Sequence, residues 1–96
     1  MKMKKKYELV LDDSINLAGH KLFRVRALRN FGNVKEGELG GYIEKEENLS
    51  HSGNSWVGGN AMVLENARVS MDARVGGTSF ISGNTEVSVS LPWYNQ

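Results

Sequence analysis

The chain has 96 residues, 40% of them hydrophobic and 24% charged, with a net charge of +1. That suits one small folded domain and leaves no room for a separate catalytic domain beside it. There is no cysteine, so a disulfide framework, a zinc knuckle and thiol catalysis are all excluded.

One proline against eleven glycines, with many Asn and Ser, points to tight turns and little helix. Apolar runs are too short to span a bilayer. The opening Met-Lys-Met-Lys-Lys-Lys-Tyr-Glu has no apolar stretch behind its charges, so no signal peptide and no membrane contact are expected. The expected location is the cytoplasm. Charge is divided unevenly: residues 1–36 hold nine Lys/Arg against four Asp/Glu, and residues 37–96 hold three against seven. Such a split suits either a nucleic-acid arm or head-to-tail attraction between copies.

Residues 1–36 form a basic segment and a β-hairpin. Lys2 and Lys4–Lys6 read as a solvated terminal run. Tyr7–Leu11 and His20–Leu28 read as strands around a loop at Asp12–Gly19. Phe23, Val25 and Ala27 alternate with Arg24 and Arg26, giving one packing face and one basic face. Adjacent Asp12 and Asp13 are too few for a metal site. Val34–Gly41 reads as a turn-rich connection. Residues 37–52 form an imperfect first coil, in which Ile43 and Leu49 stand six apart but out of phase with the later hexads.

Residues 53–90 carry the chain's strongest pattern. Six consecutive hexads each begin with a small residue, at Ser55, Ala61, Ala67, Ala73, Ser79 and Thr85. Each has a β-branched aliphatic two positions on, at Val57, Val63, Val69, Val75, Ile81 and Val87. Residues two apart on a strand face one side, so both sets point inward. The first five hexads end in Asn60, Asn66, Asp72, Thr78 and Asn84, and Asn, Asp and Gly tolerate the left-handed backbone of a corner. A strict period of six drifts around a helical wheel and excludes an amphipathic helix. The pairs Gly40-Gly41, Gly58-Gly59 and Gly76-Gly77 mark corners; none has the strand-to-helix setting of a phosphate loop.

The small-x-aliphatic hexads resemble the hexapeptide-repeat, left-handed parallel β-helix family, with three hexads to a triangular coil. The stretch from Phe23 to Ser50 is also similar to that of small non-enzymatic repeat proteins of bacteria and their phages. The resemblance implies an all-β fold: a short parallel β-solenoid of two to three coils, left-handed and triangular, with an N-terminal β-hairpin cap over its first end. Residues eighteen apart should then stack: Val57 on Val75, Val63 on Ile81, Val69 on Val87. The middle residues of the triplets, Trp56, Met62, Arg68, Arg74, Phe80 and Glu86, should point outward, with Trp56 against Arg74 and Arg68 against Glu86. Met62 against Phe80, with Leu64 at the corner, makes one side apolar.

Residues 91–96 are an aromatic tail. Trp93 and Tyr94 either close the open end or dock on another subunit. So few coils favour a homo-oligomer, a dimer over a trimer, through that end and the Met62/Leu64/Phe80 side. No cofactor and no metal are expected. The leading functional expectation is a non-enzymatic protein-interaction module in the cytoplasm of a bacterial host. By analogy with small phage or prophage accessory proteins, it would bind and inhibit a host protein such as a CRISPR or other defence complex. One alternative is a truncated acyltransferase-like protein using His51, the catalytic His that the enzymatic relatives imply. The other is a nucleic-acid binder using Lys4, Lys5, Lys6, Arg24 and Arg26.

Overall fold

The structure, a computed structural model, describes residues 5–88. It is all-β; its one helical element among those residues is a 3-10 turn at Glu46–Asn48. The long strands come first. β1 (Tyr7–Leu17) and β2 (His20–Ala27) form an antiparallel hairpin, and β3 (Leu39–Ile43) pairs antiparallel with β2. Six two-residue strands come next at a period of six: β4 (Trp56–Val57), β5 (Met62–Val63), β6 (Arg68–Val69), β7 (Arg74–Val75), β8 (Phe80–Ile81) and β9 (Glu86–Val87).

The stretch expected as an Asp12–Gly19 loop is mostly strand. Val10 pairs with Arg24 and Ser14 with Phe23, so Leu11, Asp12 and Asp13 bulge out and pairing resumes beyond them. The alternating Ile15 and Leu17 carried that signal. The hairpin closes in the two residues Ala18 and Gly19, both at positive φ (50° and 87°), as the twist of the flanking strands demands.

β3 also begins earlier than the turn-rich reading allowed, and Gly40-Gly41 lies within a strand rather than at a corner. Both glycines meet the backbone of the next elements. A Cβ at Gly40 would stand 2.3 Å from the Val57 carbonyl oxygen, and one at Gly41 2.5 Å from that of Ala61. Glycine is required there for close approach, not for a turn.

The short strands pair in parallel. β4 joins β7, β5 joins β8 and β6 joins β9, always between residues eighteen apart: Val57 with Val75, Val63 with Ile81, Val69 with Val87. All six of these aliphatics are buried. The same ladders continue backward from Val63 to Ile43 and from Val69 to Leu49, but at an offset of twenty. Two extra residues between Leu49 and Val57 account for the apparent phase change of residues 37–52. Ile43 and Leu49 are fully buried in the same columns as the later valines. The resulting sheets are a mixed five-stranded one, ordered β1-β2-β3-β5-β8, and two of two strands, β4-β7 and β6-β9.

Corners repeat as strictly as strands. Gly53, Gly59, Glu65, Met71, Gly77 and Gly83, each six residues from the last, all take positive φ. The left-handed residue is therefore the one before the Asn, Asp or Thr expected to supply it. One apolar cluster runs from Tyr7, Val25 and Ala27 of the hairpin to Val87, so hairpin and repeat share a single core.

Candidate functional site

The five-stranded sheet presents one transverse row of directly paired residues: Val10, Arg24, Tyr42, Met62 and Phe80. The neighbouring row, Ile43, Val63 and Ile81, is buried. Alternation in the pleat turns the first row outward. Met62 and Phe80 therefore stack on the outside as the repeat implied, and Phe80 is 56% exposed. Leu39, opposite Arg26 on the same sheet, is 52% exposed. Leu64, expected on this surface, is buried and cannot serve it. Trp56, also expected outside, is covered because the Phe31 ring packs edge-on against it at 5.4 Å. Trp93 and Tyr94, the proposed anchors, lie outside the described residues, as does Lys4.

Among the described residues, Arg24, Arg26, Lys5 and Lys6 are each engaged by partners within the fold. Arg24 spends its guanidinium within the fold, donating to Asp13 (3.0 Å), to the Gly40 carbonyl (2.6 Å) and to the Tyr42 hydroxyl (2.6 Å) while lying over the Tyr42 ring. Arg26 pairs with Glu8, and Lys5 with Glu46 at 3.2 Å. Lys6 departs furthest from the solvated run expected of it: it is fully buried. Its Nζ donates to the Ser55 carbonyl (2.7 Å), the Ser55 hydroxyl (3.2 Å) and the Gly53 carbonyl (3.4 Å), 4.8 Å from the Phe31 ring centre. Burial, then the charges of Arg29 and Arg74, lower its pKa to about 8, with Asp72 opposing.

His51 sits in the segment that carries the two extra residues. Its Nδ1 accepts the Lys6 amide (3.2 Å), so Nε2 carries the proton and donates to Glu46 (2.9 Å). The ring stacks on Tyr7 with centres 4.1 Å apart. The Tyr7 hydroxyl in turn bonds the carbonyls of Leu49 and Glu46, and burial followed by the charges of Glu46 and Glu47 pushes its pKa up. The hydrogen bond from His51, then that from Lys5, holds the Glu46 carboxyl below its ordinary range. Nδ1 thus holds residues 5–7 onto residues 46–55, while Nε2 fixes the ring to Glu46. An open groove of about 380 Å³ runs beside the ring, past Glu47, Ser50, Arg68 and Glu86.

Sequence reading missed this hub of Lys6, Tyr7, Glu46 and His51. The interval of eight between Leu49 and Val57, where six is the rule, was its one visible trace. Among the described residues, no three of His, Asp and Glu gather as a metal site, and no helix is long and apolar enough to cross a membrane. No family model matches the chain, and no curated protein matches it.

Proposed function

We propose that this chain is a non-enzymatic protein-interaction module of the hexapeptide-repeat, β-solenoid kind. In this reading residues 39–88 wind as short left-handed triangular coils, with the hairpin as their cap. The eighteen-residue pairing of three separate ladders and the left-handed corner every six residues support it. The carrying observation for function is the outward row Tyr42–Met62–Phe80, an apolar row on a sheet stiffened by the core beneath, with Leu39 exposed elsewhere on the same sheet. A rigid strip of this kind suits a protein partner, since ordering costs little when the surface is already formed. The proposed setting is that of a small phage or prophage accessory protein in a bacterial cytoplasm, blocking a host defence complex such as a CRISPR effector.

The test is direct. Purified defence complexes should retain the immobilised wild type and lose it with Met62→Glu, while the variant keeps the wild-type circular dichroism. Retention unaffected by Met62→Glu removes the strip from the proposal. Salt-sensitive retention of DNA by the wild type, or acyl-CoA turnover lost in His51→Ala, would replace it with one of the two other classes.

A further inference from the structure

The two ends of the parallel ladders are finished differently. At the amino-terminal end each ladder meets a cap: β2 pairs with β3, the Lys6 ammonium takes the Ser55 carbonyl, and the Tyr7 hydroxyl takes the Leu49 carbonyl. At the other end β7, β8 and β9 are the last strands of their sheets among the described residues. Residues along a parallel strand turn their peptide groups alternately to one neighbour and the other. The amides of Met62 and Leu64 bond the carbonyls of Ser79 and Ile81, so the N–H and C=O of Phe80 face away from β5. The bonds from Trp56 to Ala73 and from Arg68 to Thr85 turn the peptide groups of Arg74 and Glu86 outward likewise.

We propose that a second copy of this chain occupies that end, related by a two-fold axis through β8. Each β8 then pairs antiparallel with its counterpart, and the two five-stranded sheets merge into one. The inference rests on the three-sided reading under Proposed function. Charge selects both the occupant and the axis. A two-fold perpendicular to the ladders maps one side of the triangle onto itself and exchanges the other two. An axis through β9 would set Glu86 against its own copy, and one through β7 would lay the strand of Phe80 against the partner's strand of Glu86, an apolar ring against a carboxylate. An axis through β8 brings together only Thr78–Ser82, which carries no charge. It also lays the strand of Arg74 against the partner's strand of Glu86. The Arg74 guanidinium itself reaches toward Gly32 on the amino-terminal side, 2.6 Å from where a Cβ would stand. Keeping Glu86 away from its own copy and from Phe80, rather than a bonded ion pair with Arg74, therefore sets the preference.

The other edge of the sheet cannot substitute. β1 carries Glu8, Asp12 and Asp13 with a bulge between Val10 and Ser14, the devices that keep an edge from pairing. At the β8 axis, by contrast, Phe80 meets the partner's Phe80, and aromatic pairs are favoured in such contacts. The outward row then continues from one subunit into the next, doubling the apolar strip available to a heterologous partner.

Sedimentation velocity on the full chain at micromolar concentration should show a dimer. Phe80→Glu should make it monomeric without changing its circular dichroism. Leu11→Glu on β1 should leave the dimer intact. Because the chain has no cysteine, Phe80→Cys should form an inter-chain disulfide on mild oxidation and Leu39→Cys should not. A full chain that stays monomeric at high micromolar concentration overturns the proposal, as does a dimer lost in Leu11→Glu but kept in Phe80→Glu. A monomeric full chain beside a dimeric chain ending at Ser88 also overturns it, and assigns the end to the chain's own last residues. Methyl contacts among Val57, Val63 and Val69 by nuclear magnetic resonance report the three-sided interior separately. Their presence in a monomer sinks only the dimer; their absence sinks the coil reading as well.

Discussion

Lys6 is held between opposing effects. Three oxygens inside the molecule favour its charge, while burial and the nearby Arg29 and Arg74 oppose it. The folded pKa of about 8 lies below the ordinary 10.5, so the unfolded chain binds more protons between these values. Stability should therefore rise through this group from about pH 8 to 10.5, opposite to the trend for a lysine gaining an ion pair. Lys6→Met should cost about 1–3 kcal/mol at pH 7, because it leaves the Ser55 carbonyl without its donor. The pH-dependent part should vanish with it, so the gap between wild-type and variant melting temperatures should widen above pH 8. A gap that stays constant would show that Lys6 is not the titrating group. Backbone strain at the corners makes a second residue-scale prediction. Gly77 has positive φ and open space where a Cβ would stand, so Gly77→Ala should cost only the backbone penalty, about 1 kcal/mol. Gly59→Ala should cost more in chemical denaturation, since its Cβ would press on Gly77 at 3.0 Å.

The elements are joined by polar side chains reaching across tens of residues. Buried Asn48 accepts the amides of Glu44 and Lys45 and donates to the carbonyls of Glu65 and Ala67, pinning the 3-10 turn to the corner before β6. His20, opening β2, lies 2.9 Å from Glu44 and 3.5 Å from Glu65 and fastens the hairpin tip to the same corner. The Glu44 hydrogen bond, then the charges of Glu44 and Glu65, raise the His20 pKa above 6.5. The same bond, then that from the Glu65 amide, lowers the Glu44 carboxyl below 4.5. The raised His contributes stability that is full below pH 6.5 and lost as pH climbs through its folded value. The lowered Glu contributes stability present above pH 4.5 and lost as pH falls through its folded value. The clasp is thus complete between about pH 4.5 and 6.5. His20→Gln should lower the melting temperature most in that window and less on either side. An offset independent of pH would mean the clasp acts only by shape.

At the scale of the molecule, one continuous core joins hairpin and repeat, so unfolding should be a single step. Tryptophan fluorescence and far-ultraviolet circular dichroism should give coincident denaturation curves. A repeat that melted before the hairpin would separate them. Val69 is fully buried midway in the column Leu49–Val69–Val87. Val69→Asp places a charge there without a partner and should cost about 4 kcal/mol or more, abolishing the cooperative transition at room temperature.

What the sequence by itself determined is local and periodic. A residue pattern of six writes the positions of β4 through β9, and an offset of three hexads matches the pairing of Val57 with Val75, Val63 with Ile81 and Val69 with Val87. Each strand is specified by its own few residues, and each pairing comes from adding one period. The stacking of Met62 on Phe80, and hence half of the candidate strip, was legible for the same reason. Tyr42, Leu39, the cover over Trp56 and the burial of Lys6 were not. They depend on where an irregular segment of thirty-odd residues folds back, and no repeat spacing encodes that. Lys6 meets Ser55 across 49 positions of sequence and Tyr7 meets Leu49 across 42. Only the tertiary structure decides such contacts, because a lysine in a terminal run has the same local chemistry whether it ends in water or over three carbonyl and hydroxyl oxygens. The deciding factor is the unpaired edge of the first turn of chain, which must be satisfied by whatever the hairpin brings to it.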